Sequence, residues 1–319
     1  MKRTILVAIP VCLSVLLFSF SGRNKNEPAP QKAAIRTLII DPGHGGFDGG
    51  AKGSFSTEAE VSLAVSLKFG KALQEEFPDL KIIYTRTTDI MAGNKRTKDE
   101  GLRYRANLAN ESGGDLFIAI HCNSAPDIRH RKLTGYKNMT VYTGKGKKKK
   151  KTTKKVPQYQ YWTTPNPAIG TETYIWAVNK NDEKVNSINK NEEHYGEIDS
   201  TSTLTLPDPS DPVEKARMLI YAQNYFRKSL NLADLVEKEF VATGRVSRGV
   251  KQRNHTGIWV LQATGMPSIL VEIGFISNRE EEKYLNSEKG QQEIVDDLVS
   301  AFRAYKQKVE SKTITTYTE

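Results

Sequence analysis

The chain has 319 residues, 38% hydrophobic and 26% charged, which suits one large domain or two modest ones with a real core and excludes a disordered chain. Two cysteines exclude a disulfide-stapled scaffold. A formal net charge of +10 suits anionic partners, an envelope polymer as well as nucleic acid.

Residues 1–21 stand apart. Lys2 and Arg3 precede an apolar run, Thr4 to Phe20, and Ser19-Phe20-Ser21 offers a small-x-small cleavage pattern before polar Gly22. This reads as a secretory signal peptide; an uncleaved anchor is the alternative, because the run approaches the lower limit for spanning a bilayer. No other segment is long and apolar enough to span. Cys12 lacks the small residues expected before a lipidated cysteine. Cleavage would leave Cys122 alone and 45 basic against 37 acidic residues, a charge of +8. Export to the periplasm or cell envelope is the expected localisation.

Residues 22–35, rich in Pro, Asn and Lys, read as a flexible leader. A first buried strand follows from about Arg36 to Asp41 and runs into Pro42-Gly-His-Gly-Gly46, a tight turn that presents His44 at the strand's carboxyl end, where ligands of α/β sheets bind. Taken alone, His44 fits a solvated turn better than a ligand. Val61, Ala64, Val65, Phe69, Ala72, Leu73 and Phe77 recur at helical spacing, which predicts an amphipathic helix over 57–77. Thr57 with Glu60 forms a capping-box pattern, so Glu60 is structural and Glu58 is left to face the loop.

Lys81 to Thr85 reads as a short strand and Asp89 to Asn110 as loop and helix. Asp115 to His121 is a near-continuous apolar run ending on a second histidine; alternation sends His121 and Asn123 to one face and Cys122 to the core. Gly135 to Thr143 reads as a strand, Lys145 to Lys155 as a solvated, mobile lysine block, and Thr171 to Val178 as a strand. Asn179 to Ser210 is polar without a core face. Helical spacing resumes over 211–240. Gly257 to Gln262 and Ser268 to Glu272 read as strands, about 290–309 as a last helix, and 310–319 as a polar tail. Interleaved strands and helices predict an α/β fold: a single twisted, mostly parallel sheet with helices on both faces over 36–309, carrying a long insertion at about 127–210.

His44, Glu58, His121 and Glu272 therefore sit at strand ends or a helix start that converge on one sheet edge. Two histidines and a carboxylate are the ligand set of a catalytic zinc site with a fourth position for water, and Glu272 is placed to move that water's proton. One Zn2+ per chain is expected.

Asp41-Pro-Gly-His-Gly-Gly46, Glu58-Ala-Glu-Val-Ser-Leu-Ala64, Thr85-Arg-Thr-Thr-Asp89, Arg105-Ala-Asn107, Phe117-Ile-Ala-Ile-His-Cys-Asn-Ser124 and Val271-Glu-Ile-Gly-Phe-Ile-Ser-Asn278 occur in an order that resembles the zinc-dependent N-acetylmuramoyl-L-alanine amidases, type 3, of bacterial cell-wall hydrolysis. The resemblance spans Arg36 to about Lys308 apart from much of the middle. It implies His44, Glu58 and His121 as zinc ligands, Glu272 as the catalytic carboxylate, and peptidoglycan as substrate, cut at the amide between the lactyl group of N-acetylmuramic acid and L-alanine. It further implies roles in wall turnover or daughter-cell separation, and an inserted glutamate that blocks the metal until an activator protein withdraws it. Glu192 or Glu193, in segment 182–204, would be that plug, with a charged surface turn as the alternative.

Arg86 and Arg105 read either as helix and loop charges or as partners for muropeptide carboxylates. Asn123 joins them as a substrate-binding candidate, although a structural role suits it as well. Asn278 fits a helix N-cap with Glu281 closing the box. Trp162, Trp176 and Trp259 could stack on sugar or anchor packing, and His130, His194 and His255 read as surface residues. The block Lys145–Lys155 suits anionic envelope polymers. Alternatives to the amidase are a zinc peptidase on the stem peptide and a catalytically silent wall-binding regulator; a nucleic-acid partner is not expected, because the basic excess is concentrated in one loop.

Overall fold

A computed structural model describes residues 35–144, 149–176, 225–253 and 257–315. The signal segment 1–21, leader residues 22–34, Lys145 to Lys148, the segment 182–204 with Glu192 and Glu193, His194 and His255 lie outside the described residues.

In chain order the elements are β1 (Thr37–Pro42), α1 (Glu58–Glu76), β2 (Lys81–Tyr84), a 3-10 turn (Ala92–Asn94), α2 (Lys98–Glu111), β3 (Leu116–Asn123), β4 (Ile128–Thr143), β5 (Lys150–Thr164), β6 (Thr171–Ile175), α3 (Phe226–Ala242), β7 (Ser247–Gln252), α4 (Trp259–Ala263), β8 (Ser268–Phe275), α5 (Arg279–Asn286) and α6 (Glu288–Thr315). A six-stranded sheet has the order β2-β1-β3-β8-β6-β7. β2, β1, β3 and β8 are mutually parallel, β6 is antiparallel to β8, and β7 is parallel to β6.

Alternation along the strands divides the core in two. Leu38, Ile40, Ile118, Ile120, Cys122, Ile269 and Val271 pack against α1, α3 and α6 through Val61, Val65, Phe69, Leu232, Phe240, Leu298 and Phe302. Ile39, Phe117, Ala119, Tyr174 and Leu270 pack on the other face against α2 and α4 through Leu102, Ala109, Val260 and Leu261. Each large side chain removed from water contributes on the order of 1.5–3 kcal/mol. Asp41, His121 and Glu272 fall on the α2 side of their strands by the same alternation.

The capping box at the start of α1 is present: Thr57 Oγ1 accepts from Glu60 N, and Glu60 Oε2 accepts from Thr57 N at 2.8 Å. Its loop is fastened from the other end of the chain. Glu282 of α5, buried completely, accepts hydrogen bonds from the backbone N–H groups of Ser54, Phe55 and Ser56 at 2.8–2.9 Å and from Ser56 Oγ at 3.0 Å.

Several expectations are corrected. The run Gly257 to Gln262 is not a strand: Trp259–Ala263 forms helix α4, because a short apolar run serves either element and here it is buried against α2. The strand expected from Gly135 begins at Ile128, and Lys150 to Lys155 belong to β5, paired in a two-stranded ribbon with β4; the lysines remain exposed, as in a solvated loop. Helix α6 runs to Thr315, so 310–315 are no tail. Asn278 caps α5 by accepting from Glu280 N and Glu281 N, but Glu281 does not close the box; its carboxylate accepts from Phe275 N at 2.6 Å and Gly170 N at 3.1 Å, which ties α5 to the ends of β8 and β6.

Replacing Glu282 by Ala leaves four donors of the 54–56 loop without their carboxylate. Urea unfolding of Glu282→Ala should show a loss of roughly 2–3 kcal/mol with an unchanged denaturant slope; a loss below about 0.5 kcal/mol would mean that water replaces the carboxylate without cost.

Candidate metal centre and active site

β1 ends on a buried acid. Asp41, fully buried, accepts from Arg105 Nη1 and Thr85 Oγ1. Arg105 and Arg86 then clamp the turn that follows. Pro42 O accepts from Arg105 Nη1 at 2.9 Å and Arg86 Nε at 3.0 Å, Gly43 O from Arg86 Nη2 at 2.7 Å, and His44 O from Arg105 Nη2 at 2.6 Å. Carbonyls turned inward by a tight turn need donors, and two rigid guanidiniums supply them. Burial, then the positive charge of Arg105, lower the Arg86 pKa to about 10.

His44 adopts a left-handed backbone conformation, φ 58°, uncommon for a residue with a side chain and frequent at functional sites. Its Nδ1 lies 2.8 Å from Asp48 Oδ2, and Asp48 Oδ1 lies 3.1 Å from Lys98 Nζ. The carboxylate beside Nδ1 fixes the ring and directs Nε2 inward.

Glu58, the first residue of α1, reaches both imidazoles. Its Oε2 lies 3.1 Å from His44 Nε2 and accepts from Ala51 N at 2.8 Å; its Oε1 lies 2.8 Å from His121 Nδ1 and accepts from Cys122 N at 3.1 Å. The two rings meet edge to face with centroids 5.0 Å apart. One ligand atom from each of His44, Glu58 and His121 falls within 4.8 Å of the others, and all three residues are buried. The backbone is cut to fit them: a side-chain carbon at Gly43 would stand 2.4 Å from His121 Cε1, and one at Gly50 would stand 2.6 Å from Glu58 Oε2 and from His44 Cδ2. Two imidazole nitrogens and a carboxylate oxygen converging in a dry site form a donor set for a divalent metal ion.

Burial opposes charge on His44, and Glu58 and Asp48 outweigh it, raising the pKa to about 9. Burial likewise opposes ionisation of Glu58, but His44 and His121 hold its carboxyl well below the usual range. Asp48, against burial, is lowered by His44 and Lys98 to about 2. A ligating imidazole is neutral, so a bound cation takes the place of the proton that this acidic surrounding favours.

Glu272 is the direct neighbour of His121 across the β3–β8 pairing and is 5% exposed. Its Oε2 is buried and meets no hydrogen-bond partner among the described residues. Burial, then the negative charge of Glu58, raise its pKa to about 7, as expected of a carboxyl that exchanges protons near neutrality. On its other side Glu272 pairs with Glu172 of β6. Glu172 accepts from Asn123 Nδ2 at 3.0 Å and Tyr174 OH at 2.6 Å through Oε2, and from Arg248 Nε at 2.5 Å and Lys251 Nζ at 2.6 Å through Oε1.

The structure thus brings His44, Glu58, His121 and Glu272 to one edge. Arg86 and Arg105 lie elsewhere than on a substrate-facing surface: both are buried and occupied by the β1 turn, so they position His44. Asn123 is spent on Glu172 and on Ser124 N, 2.8 Å from its Oδ1. Trp176 is buried, and Trp162 stacks on His130 within the ribbon. Sequence reasoning missed Asp48, Glu172, Arg248 and Lys251. Asp48 carried a signal, an acid within the glycine-rich turn four residues after His44; the other three are joined only by strand pairing.

Asp48→Asn keeps the volume and removes the charge that orients His44. Calorimetric titration with zinc should show affinity reduced by roughly 10- to 100-fold, with a far-ultraviolet spectrum like that of the parent.

Comparison with known proteins agrees with this geometry. Residues 38–304 match the family model described as N-acetylmuramoyl-L-alanine amidase. The chain is 25% identical over 288 residues to the N-acetylmuramoyl-L-alanine amidase AmiC of Escherichia coli O6:H1, covering 88% of this chain and 56% of AmiC. It is 34% identical over 127 residues to the germination-specific N-acetylmuramoyl-L-alanine amidase of Bacillus subtilis, covering 38% of this chain and 53% of that protein. The chain thus spans about half the length of these curated relatives. Among solved structures, the CwlD amidase of Clostridioides difficile in complex with the GerS lipoprotein shares the fold at TM-score 0.52 and 21% identity, over 85% of this chain and 98% of that one. With a family match over most of its length and the family's fold, the chain belongs to the N-acetylmuramoyl-L-alanine amidases.

Proposed function

We propose that the protein is an exported, zinc-dependent N-acetylmuramoyl-L-alanine amidase that hydrolyses the amide between the lactyl group of N-acetylmuramic acid and L-alanine in peptidoglycan, in wall turnover or daughter-cell separation. The observation that carries this reading is the convergence of His44, Glu58 and His121 beside a buried Glu272 paired directly with His121. Export rests on the apolar run Thr4 to Phe20 after Lys2 and Arg3 and points to the periplasm or cell envelope.

His44, Glu58 and His121 would hold the metal, and the two-nitrogen, one-carboxylate set favours zinc. Zinc bound there supplies Lewis acidity, polarising the scissile carbonyl and making a water nucleophilic near neutral pH. Glu272 accepts the proton of the attacking water and returns it to the alanine nitrogen as the amide bond breaks. Asp48 keeps the His44 imidazole oriented, and Arg86 and Arg105 keep the His44 turn in place.

Purified sacculi incubated with the zinc-loaded chain should release intact stem peptides, leaving unsubstituted glycan, by mass spectrometry. Chelation should stop release and added zinc restore it. Glu272→Ala should reduce it by roughly 10²- to 10⁴-fold. Peptide fragments in place of intact stems would indicate the peptidase. If the chain is silent and deletion of 182–204 releases activity, Glu192 or Glu193 acts as the plug that an activator protein withdraws; silence of both forms would leave a wall-binding regulator.

The β4–β5 ribbon supports a second contact with the envelope. In sequence, residues 128–164 contain Arg129, Arg131, Lys132, Lys137 and the eight lysines of 145–155 with no acidic residue, leaving 35 basic against 37 acidic residues in the rest of the chain. The positive excess of the whole protein therefore lies in this stretch of the sequence, which suits anionic envelope polymers and not a nucleic-acid groove. Serine at the eight lysines should weaken sacculus binding and flatten its salt dependence; unchanged, equally salt-sensitive binding would dismiss the role.

A further inference from the structure

A row of side chains crosses the carboxyl edge of the sheet from the metal centre outward. His121 on β3 neighbours Glu272 on β8, Glu272 neighbours Glu172 on β6, and Tyr174 on β6 neighbours Lys251 on β7. The outer end of the row is cationic. Arg248 and Lys251 both bind the same oxygen, Glu172 Oε1, so two positive charges share one carboxylate and a net positive charge remains. Glu172 itself is 4% exposed in its side chain, whereas those of Arg248 and Lys251 are 40% and 35% exposed. They are held from beneath and open to solvent above.

The anchoring leaves donors available. Arg248 uses Nε on Glu172 and lies with its Cζ 5.1 Å from the centroid of the Phe275 ring, which fixes the plane of the guanidinium. Its Nη groups meet no acceptor among the described residues, and a guanidinium has five N–H donors in a fork matched to a carboxylate. Lys251 retains two of its three donors. Glu172 is saturated by four partners, with Asn123 and Tyr174 on its other oxygen, so it cannot follow a ligand and serves as a fixed post.

Direction along the row gives the ligand. In the proposed reaction Glu272 delivers a proton to the departing alanine nitrogen, so the peptide side of the scissile amide lies toward Glu272, and the strands beyond it are β6 and β7. The residue after alanine then meets Arg248 and Lys251. Resting on the amidase reading, we propose that Arg248 and Lys251, held by Glu172, form a subsite that binds a free carboxylate on the stem-peptide residue following L-alanine. Glu172 is a positioning residue there, and the pair selects acidic stems over amidated ones.

The test separates binding from turnover. The zinc-loaded full chain carrying Glu272→Ala is titrated with N-acetylmuramoyl-L-alanyl-D-glutamate and with the same compound bearing both carboxyls as carboxamides. The diacid should bind at least about 10-fold more tightly, as expected for one charge-assisted, two-pronged contact. Adding Arg248→Gln and Lys251→Gln, which keep hydrogen-bonding groups near Glu172, should bring the ratio close to one by weakening the diacid while leaving the diamide unchanged. Lys251→Gln alone should give an intermediate ratio and guards against a folding defect in the double variant. Equal affinity for the two compounds, or a preference that survives the double variant, overturns the subsite. Failure of the amidase reading appears separately, as sacculi that release no stem peptide, while a carboxylate preference lost with Arg248 and Lys251 still establishes the binding site.

Discussion

Everything at the active edge depends on two buried guanidiniums. The chain must leave β1, turn within three residues and set an imidazole over the sheet edge, and this points the carbonyls of Pro42, Gly43 and His44 away from water. Arg86 and Arg105 bind all three, and Asp41 balances the charge of Arg105. Removing one member of such a buried pair leaves an uncompensated charge, a change that ordinarily costs about 3–5 kcal/mol. The left-handed backbone of His44 is affordable within that clamp and would not persist in an unsupported loop.

Glu58 is the second constraint. It bonds to backbone N–H groups at Ala51 and Cys122 while touching both imidazoles, so one carboxylate joins the loop after β1, the start of α1 and the end of β3. The capping box leaves it free for this by assigning Glu60 to the helix end. Far along the chain, Glu282 fixes the loop that leads into the cap. Local helix chemistry and long-range bonds thus converge on the placement of one side chain.

The electrostatics of the edge are graded. Acidic groups surround His44 and His121, where a cation is wanted, and the next carboxylate, Glu272, is pushed toward neutrality because it adds a further negative charge in a dry place. Beyond it the sign reverses at Arg248 and Lys251. The lysine-rich stretch lies in the chain between the end of β3 and the start of β6, so the protein's positive excess is gathered in one segment rather than spread along the sequence.

The sequence by itself determined the α/β class, the strands that carry Asp41, His121 and Glu272 and the helix cap at Thr57, and it singled out His44, Glu58, His121 and Glu272, which the fold brings to one edge. These are legible because continuous apolar runs, helical spacing and capping residues are local signals, and because ligand-type side chains at strand ends share an edge in such sheets. Tertiary structure alone decided the rest. Whether Trp259 to Ala263 coils or extends depends on what buries it, and the pairing of Ile128 to Thr143 with Lys150 to Thr164 depends on register across a turn. Arg86 and Arg105 look like surface cations in a list of residues, since nothing local says which carbonyls will need them. Glu172, Arg248 and Lys251 meet only because β7 pairs with β6, which sets Arg248 76 residues and Lys251 79 residues along the chain beside Glu172, a separation at which composition and spacing carry no information.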